Sequence, residues 1–385
     1  MLVDLGCIRR RLVRWYRRYR RDLPWRPPRG SAPHARPDPY HVLVSEVMLQ
    51  QTRVQTVVPY FRRFIANLPT LADLAGCDEQ RLLRLWQGLG YYRRARNLLQ
   101  AAVCINAEHG GMVPRKAADL RKIRGIGPYT AGAIASIAYD QPEPILDGNV
   151  SRVLCRLYAL RGDPRTTAMR RKLWGLAANL VPTRGAGEFN SALMELGAMV
   201  CTPRSPNCQD CPLSALCRAN AQNLQHRIPP SRRPRPLPTE NRWTFCIRHR
   251  GRWLIEQRSP AGRWAGMWQF PTLPAGPTMP QDGALAKLLG LPVSDVRPLT
   301  TIRHALTHLR YTFHVWMCRG RHGESKANRK WLTLNQLDDY PLSAVHARIA
   351  TLLKARSASR SDRLGRACDS SCRHSGRPFG PLIVP

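Results

Sequence analysis

At 385 residues the chain exceeds one typical domain, and its 43% hydrophobic content supplies two ordinary cores. Lys and Arg number 61 against 25 Asp and Glu, a formal charge of +36, which favours a polyanionic partner, nucleic acid first among them. No run of about 18 apolar residues exists to span a bilayer, so a membrane partner is excluded from this reading.

In chain order, residues 8–21 are Arg-rich and lack the apolar core of a secretory signal, which implies the cytoplasm, a reducing compartment. Twelve cysteines there do not form a disulfide framework. From Tyr40 to about Leu216 apolar residues recur at helical spacing between Gly and Pro breaks, as in Leu43, Val44, Val47, Met48 and again in Ile134, Ile137, Ala138. This half, residues 1–220, is read as all-α. Residues 221–240, with HRIPPSRRPRPLP, are read as an extended linker. Beyond it WTFCIRHRGRWLIEQ reads as a hairpin turning near Gly251, and YTFHVWMC alternates as a strand does. A helix from about Leu342 to Lys354 closes this α+β domain, residues 241–355. The Arg-, Ser- and Gly-rich residues 356–385 are read as a disordered basic tail, with Cys368 and Cys372 in it carrying only a weak metal hint.

The strongest chemical signal is Cys201, Cys208, Cys211 and Cys217, a C-x6-C-x2-C-x5-C run. Four thiolates so close together suit zinc or a [4Fe-4S] cluster. Upstream, LRKIRGIGPYTAGAIA (120–135) reads as helix, turn, helix, and Gly125 and Gly127 let the turn's backbone approach a phosphate beside a helix N-terminus. LDGNV follows, with Asp147 placed to cap a helix that starts near Val150.

Together the hairpin, the downstream Asp and the four-Cys loop resemble the helix-hairpin-helix glycosylases of the endonuclease III superfamily. DLPWR (22–26), VSEVMLQQTRV (44–54), GLGYYRRARNL (88–98), GIGPYTAGAI and LDGNVSRV resemble the MutY-type adenine glycosylases, in order, from about Leu12 to Arg218. A Pro-rich insert, residues 27–39, is longer than that family usually has. The resemblance implies a [4Fe-4S] cluster on the four cysteines, serving structure and DNA docking. It also implies an all-α helix-hairpin-helix glycosylase domain followed by an α+β Nudix-like domain.

Breaking an N-glycosidic bond leaves positive charge on the sugar and negative charge on the base, so two carboxylates are wanted. Glu46 and Asp147 fit. The resemblance implies that Glu46 protonates adenine N7 and that ionised Asp147 faces the anomeric carbon, with Tyr129 and Asn149 as polar supports. Apolar neighbours Val44, Val47 and Met48 should raise the Glu46 pKa as a general acid requires. Tyr129 stands where strand-cleaving relatives carry a Schiff-base Lys, which implies a monofunctional enzyme that leaves an abasic site. The adenine must be flipped out of the duplex. Gln51 and Tyr91 match the family's wedge residues, and Arg21, Leu23, Trp25 and Arg26 match the segment lining its adenine pocket.

Residues 242–354 resemble the Nudix-like C-terminal domain of the same glycosylases, most clearly in RWAGMWQFP (263–271). GALAKLLG has no carboxylate where a Nudix hydrolase needs its magnesium-binding Glu set, so the domain should bind and not hydrolyse. The family's loop that reads 8-oxoguanine corresponds to ALTHLR, offering Thr307 and His308, with Leu306 in place of an aromatic. The implied partner is double-stranded DNA with adenine opposite 8-oxoguanine or guanine, bound by a monomer, on the nucleoid in a bacterial cell. Two alternatives are a glycosylase-lyase for oxidised pyrimidines, opposed by Tyr129 and the second domain, and a non-enzymatic iron-sulfur DNA-binding protein, opposed by Glu46 and Asp147.

Overall fold

The computed structural model describes residues 4–32, 35–230, 236–276, 278–280, 282–321 and 327–371. Pro33 and His34 of the insert, 231–235 of the linker, the side chain of Cys368 and the tail from Cys372 onward lie outside the described part. The chain divides into two compact units, residues 1–235 and 236–385.

The first unit is helical: α1 (Leu5–Tyr19), α2 (Pro39–Leu49), α3 (Val54–Asn67), α4 (Leu71–Ala75), α5 (Glu79–Leu85), α6 (Arg93–Glu108), α7 (Ala117–Leu120), α8 (Pro128–Tyr139), α9 (Gly148–Leu157), α10 (Thr167–Leu180), α11 (Ala186–Met199) and α12 (Arg218–Ala221). The Arg-rich N-terminal segment is an amphipathic helix. Asp4 caps α1, and Ile8, Leu12, Trp15 and Tyr16 form one buried stripe while the arginines take the other face. Helices α2 and α8 are instead buried on almost every side, from Val42 to Met48 and from Thr130 to Ser136, and they pack on each other. Their polar residues are therefore inside, not on a solvated face. One core gathers Leu12, Leu154, Leu173, Phe189 and Leu196 from α1, α9, α10 and α11. Each such fully buried side chain contributes about 1.5–3 kcal/mol.

Two boundaries lie elsewhere than the sequence suggests. The start of the expected linker belongs to the first unit: Ile228 is buried in its core, and its carbonyl accepts from Arg156 Nε at 2.8 Å. Leu224 and Ile228 both pack on that core. At the other end α14 (Ala344–Ser371) continues past Lys354, so 356–371 are helical where a disordered tail is expected; Ala, Arg and Leu in that stretch are good helix formers despite its serines.

The second unit is one mixed sheet of β1 (Thr239–His249), β2 (Arg252–Gln257), β3 (Trp268–Gln269), β4 (Thr272–Pro274), β5 (Val293–Ala305), β6 (Arg310–Gly320) and β7 (Arg329–Leu332), with α13 (Asp282–Leu289) and α14. The order is β3-β2-β1-β6-β5, with β4 on β1 and β7 on β2. β1 runs parallel to β6; the other pairs are antiparallel. The expected hairpin turns at Arg250 and Gly251, both at positive φ (44° and 80°), as a tight two-residue turn requires. Alternation sorts the strands between two cores. Cys246, Phe313 and Val315 join Phe270, Val345 and Ile349, whereas Phe245, Ile247 and Cys318 join Leu285 and Leu289 of α13.

Candidate active site and metal centre

Glu46 is buried on α2 and Tyr129 opposes it from the first turn of α8; the Tyr129 hydroxyl donates to Glu46 Oε2 at 2.6 Å. Burial pushes the Glu46 carboxyl up to about 7; the Tyr129 bond and the Arg26 charge pull it down, and Asp147 pushes it up. Burial and the two carboxylates hold Tyr129 well above the usual phenol range, so it stays a donor. A carboxyl near 7 exists in both forms at neutral pH, as a general acid must.

Asp147 is the N-cap of α9. Its Oδ1 accepts from Val150 N at 2.7 Å and its Oδ2 from Asn149 Nδ2 at 3.1 Å. Burial raises its pKa, while those donors and Arg152 oppose the rise. The Asp147 charge acts on both Glu46 and Tyr129. The site continues outward through Arg152, whose Nη2 donates to Asn149 Oδ1 at 2.9 Å and to Gly197 O at 2.7 Å, and whose Nε donates to Cys201 O at 2.7 Å. Gly197 has to be glycine here, because a Cβ would sit 2.7 Å from that of Asn149.

The segment after α1 is packed and paired. Trp25 is buried with its ring edge-on to Phe61 of α3, at 5.2 Å between centroids. Leu23 is half-buried. Arg21 and Arg26 both bind the buried carboxylate of Glu195 on α11. The insert folds back on the end of α1, where Arg20 Nη2 donates to the carbonyls of Pro27 and Pro28 at 3.1 and 3.0 Å.

The hairpin turn joins one-turn α7 to α8. Gly125 sits at φ 91° and a Cβ on it would lie 2.7 Å from Asn97 Cβ, so glycine is required. Gly127 is the N-cap of α8 with Pro128 at the first helical position, and space opens beside its Cα. That is room for a phosphate at a helix N-terminus. Gln51 and Tyr91 are exposed and both hold left-handed backbone, at φ 58° and 50°. Arg94 of α6 organises both tips. Its guanidinium donates to Val47 O, Met48 O and Gln50 O on one side and to Gly90 O on the other, 5.3 Å from the Tyr91 ring centroid.

Cys201, Cys208, Cys211 and Cys217 line one cavity together with Arg156 and Pro206. Among the described residues no three His, Cys, Asp or Glu side chains are drawn together around a single ion. Four cysteine sulfurs around one cavity are the donor set that a [4Fe-4S] cluster takes. Arg156, itself buried, donates to Cys201 Sγ at 3.3 Å and to the Thr202 and Pro203 carbonyls, fixing the loop that carries Cys201. In the second unit Thr307 and His308 are exposed at the β5–β6 turn, closed by Leu306 N to Leu309 O at 2.8 Å, while Leu306 packs on the core.

Residues 44–179 match the HhH-GPD superfamily of base excision DNA repair proteins, 201–217 the iron-sulfur binding domain of endonuclease III, and 242–352 the NUDIX domain. Adenine DNA glycosylase of Rattus norvegicus is 36% identical over 403 residues, covering 90% of this chain and 78% of that protein. The chain belongs to the adenine DNA glycosylase family. The Homo sapiens relative is also 36% identical, over 82% of the glycosylase and 67% of its own length. A thermostable thymine-DNA glycosylase structure covers 57% of this chain and 97% of its own at 27% identity, with a TM-score of 0.50. The glycosylase is thus a base excision repair enzyme that removes adenine from DNA, with an iron-sulfur binding loop whose four cysteines suit a [4Fe-4S] cluster. None of its helices, among the described residues, is long and apolar enough to cross a membrane.

Sequence reasoning missed Glu195, Arg94, Arg152 and Arg156. Glu195 carries a weak signal, an acid inside the apolar second half of α11, where only a buried partner of opposite charge could keep it. The arginines gave none, because in a chain this basic one more arginine on a helix reads as DNA-facing surface.

Proposed function

We propose that this glycosylase removes adenine opposite 8-oxoguanine or guanine and leaves an abasic site without cutting the strand. The reading is carried by one observation: Glu46, buried and near neutrality, lies beside Tyr129 and within the field of Asp147. Protonated Glu46 delivers its proton to adenine N7, and Asp147, fixed by Val150 and Asn149, stabilises the cationic sugar. Tyr129 offers no amine for a Schiff base. Gln51 and Tyr91 fill the gap left by the flipped base, while Leu23, Trp25 and the Arg21–Arg26 segment hold it. The Gly125–Gly127 turn holds a phosphate.

The four cysteines hold the cluster, which ties residues 201–217 into a stable loop when bound. Thr307 and His308 read the opposite base, a role supported by their exposure at a short turn. The enzyme acts as a monomer on the duplex, in the cytoplasm and on the nucleoid of a bacterial cell. The organisation is a glycosylase domain ending near residue 230, a short linker and a recognition domain to about 355. Incubation with a duplex carrying adenine opposite 8-oxoguanine, split with and without alkali, tests this directly. Strand breaks only after alkali are expected; breaks without alkali, or none at all, contradict it.

A further inference from the structure

Glu195 is 1% exposed on α11, yet it is an anion with four donors. Oε1 accepts from Arg21 N at 2.9 Å and Arg21 Nε at 2.8 Å, and Oε2 accepts from Arg21 Nη2 and Arg26 Nη2, both at 2.9 Å. Arg26 Nη1 also donates to Arg21 O at 3.2 Å, and its guanidinium lies 5.5 Å from the Tyr16 ring centroid. One carboxylate therefore fixes both ends of the segment Arg21–Arg26. Arg26 is the link to the chemistry, because its charge reaches Glu46.

Two guanidiniums and one carboxylate leave this cluster one net positive charge. Without Glu195 it would carry two, on side chains 33% (Arg21) and 13% (Arg26) exposed. We propose that Glu195 is a positioning residue for excision: it fixes Arg21 and Arg26 at the adenine pocket and offsets the charge that they bring to the general acid. This rests on the reading of Glu46 as the general acid. Burial would raise Glu195, but the bonds to Arg21 and the charge and bond of Arg26 bring it down to about 2, so it stays ionised from pH 5.5 to 8.5. The other groups acting on Glu46 are Tyr129 from α8 and Asp147 at the cap of α9. Arg94 from α6 binds the carbonyls of Val47 and Met48, next along α2, and the buried residues of α3 are Val57, Phe61 and Phe64.

The test is single-turnover excision from pH 5.5 to 8.5 on a duplex with adenine opposite guanine, with duplex affinity measured separately, for wild type, Glu195→Gln, Glu195→Asp, Arg26→Gln and the double variant Glu195→Gln/Arg26→Gln. Glu195→Gln should move the alkaline midpoint down by about one unit, so that the rate falls roughly tenfold at pH 8 and little at pH 5.5. Arg26→Gln should move the midpoint up, the double variant should return it toward wild type, and Glu195→Asp should keep it. A loss by the same factor at every pH, or no loss, in Glu195→Gln overturns the proposal. So does a midpoint that Arg26→Gln leaves in place, which is decisive even where Glu195→Gln folds poorly. Failure of the Glu46 reading looks different, since wild type would then lack an alkaline midpoint near neutrality.

Discussion

Tyr129 and Glu46, 83 positions apart in the chain, share a 2.6 Å hydrogen bond in which the phenol donates and the carboxylate accepts. The bond favours ionised Glu46, against the burial that favours the acid. If excision requires protonated Glu46, the rate falls as pH rises through about 7. Tyr129→Phe removes one stabiliser of the anion, so the alkaline midpoint should move upward, opposite to the shift expected for Glu195→Gln. A downward or absent shift in single-turnover pH profiles contradicts the assignment.

Asp147 caps α9, and substitution can separate that cap from the catalytic role proposed for it. Asn caps a helix about as well as Asp, whereas Ala loses about 1 kcal/mol. Asp147→Asn should therefore melt near wild type and bind duplex normally, yet lose excision by about a thousandfold, since an amide cannot offset a cationic sugar. Asp147→Ala should show the same loss of excision and a lower Tm as well. Excision by the Asn variant within about tenfold of wild type would remove Asp147 from the reaction.

How much of this was legible beforehand follows from the kind of signal each residue gives. Asp147, Tyr129 and the four cysteines stand in short local motifs, and Glu46 sits in an apolar helix where a carboxylate is conspicuous. Cap and hairpin are local structures that spacing displays, whereas the choice of cluster over zinc and the roles of Glu46 and Tyr129 come from the family resemblance. Arg94 and Glu195 work through partners more than forty and more than one hundred and fifty positions away. Local sequence leaves Arg94 unmarked and marks Glu195 only weakly, because pairing of buried charge is decided by which helices pack together. The linker was overdrawn for the same reason: Ile228 docks against elements far upstream.

Arg94 is a buried cation whose partners are carbonyls and aromatic faces, and burial lowers its pKa to about 10. Arg94→Met leaves several of those carbonyls without a donor, at about 1–3 kcal/mol for each that stays buried and unpaired. The variant should melt well below wild type. Because the Gln50 and Gly90 carbonyls precede Gln51 and Tyr91, it should also flip adenine poorly, read as a reduced fluorescence rise from a 2-aminopurine placed next to the target adenine. A variant with wild-type Tm and wild-type flipping would show that the two tips are set by other contacts.

For the metal centre, protein prepared anaerobically should contain about four irons per chain and absorb broadly near roughly 400 nm. Cys211→Ser should lose both iron and colour. Arg156→Lys should retain most of the iron but release it faster to a chelator, because a single ammonium cannot replace a fork that holds Cys201, Thr202, Pro203 and Ile228 together. Stoichiometric zinc without iron would overturn the cluster assignment.

The last prediction concerns the opposite base. The catalytic unit handles adenine, a normal base that must be left alone in ordinary pairs, so selectivity has to come from its partner on the other strand. Oxidation converts guanine N7 from acceptor to donor, and one good contact at a base edge discriminates by about 1–3 kcal/mol. The Thr307 hydroxyl can accept such a donor, and His308 stands beside it, with Thr307 Oγ1 and His308 Nδ1 3.5 Å apart. Replacing both by Ala should lower the preference for 8-oxoguanine over guanine by roughly tenfold, leaving excision of adenine opposite guanine nearly unchanged. Removing the second unit should reduce that preference at least as far. The cut belongs after Pro230 and not at the end of α12, since Ile228 is part of the first unit's core and a partner of Arg156; a chain ending at Gln222 would confound lost recognition with lost stability. If the protein cut after Pro230 keeps its full preference, the opposite base is read by the helical unit, and Thr307 and His308 have no part in it.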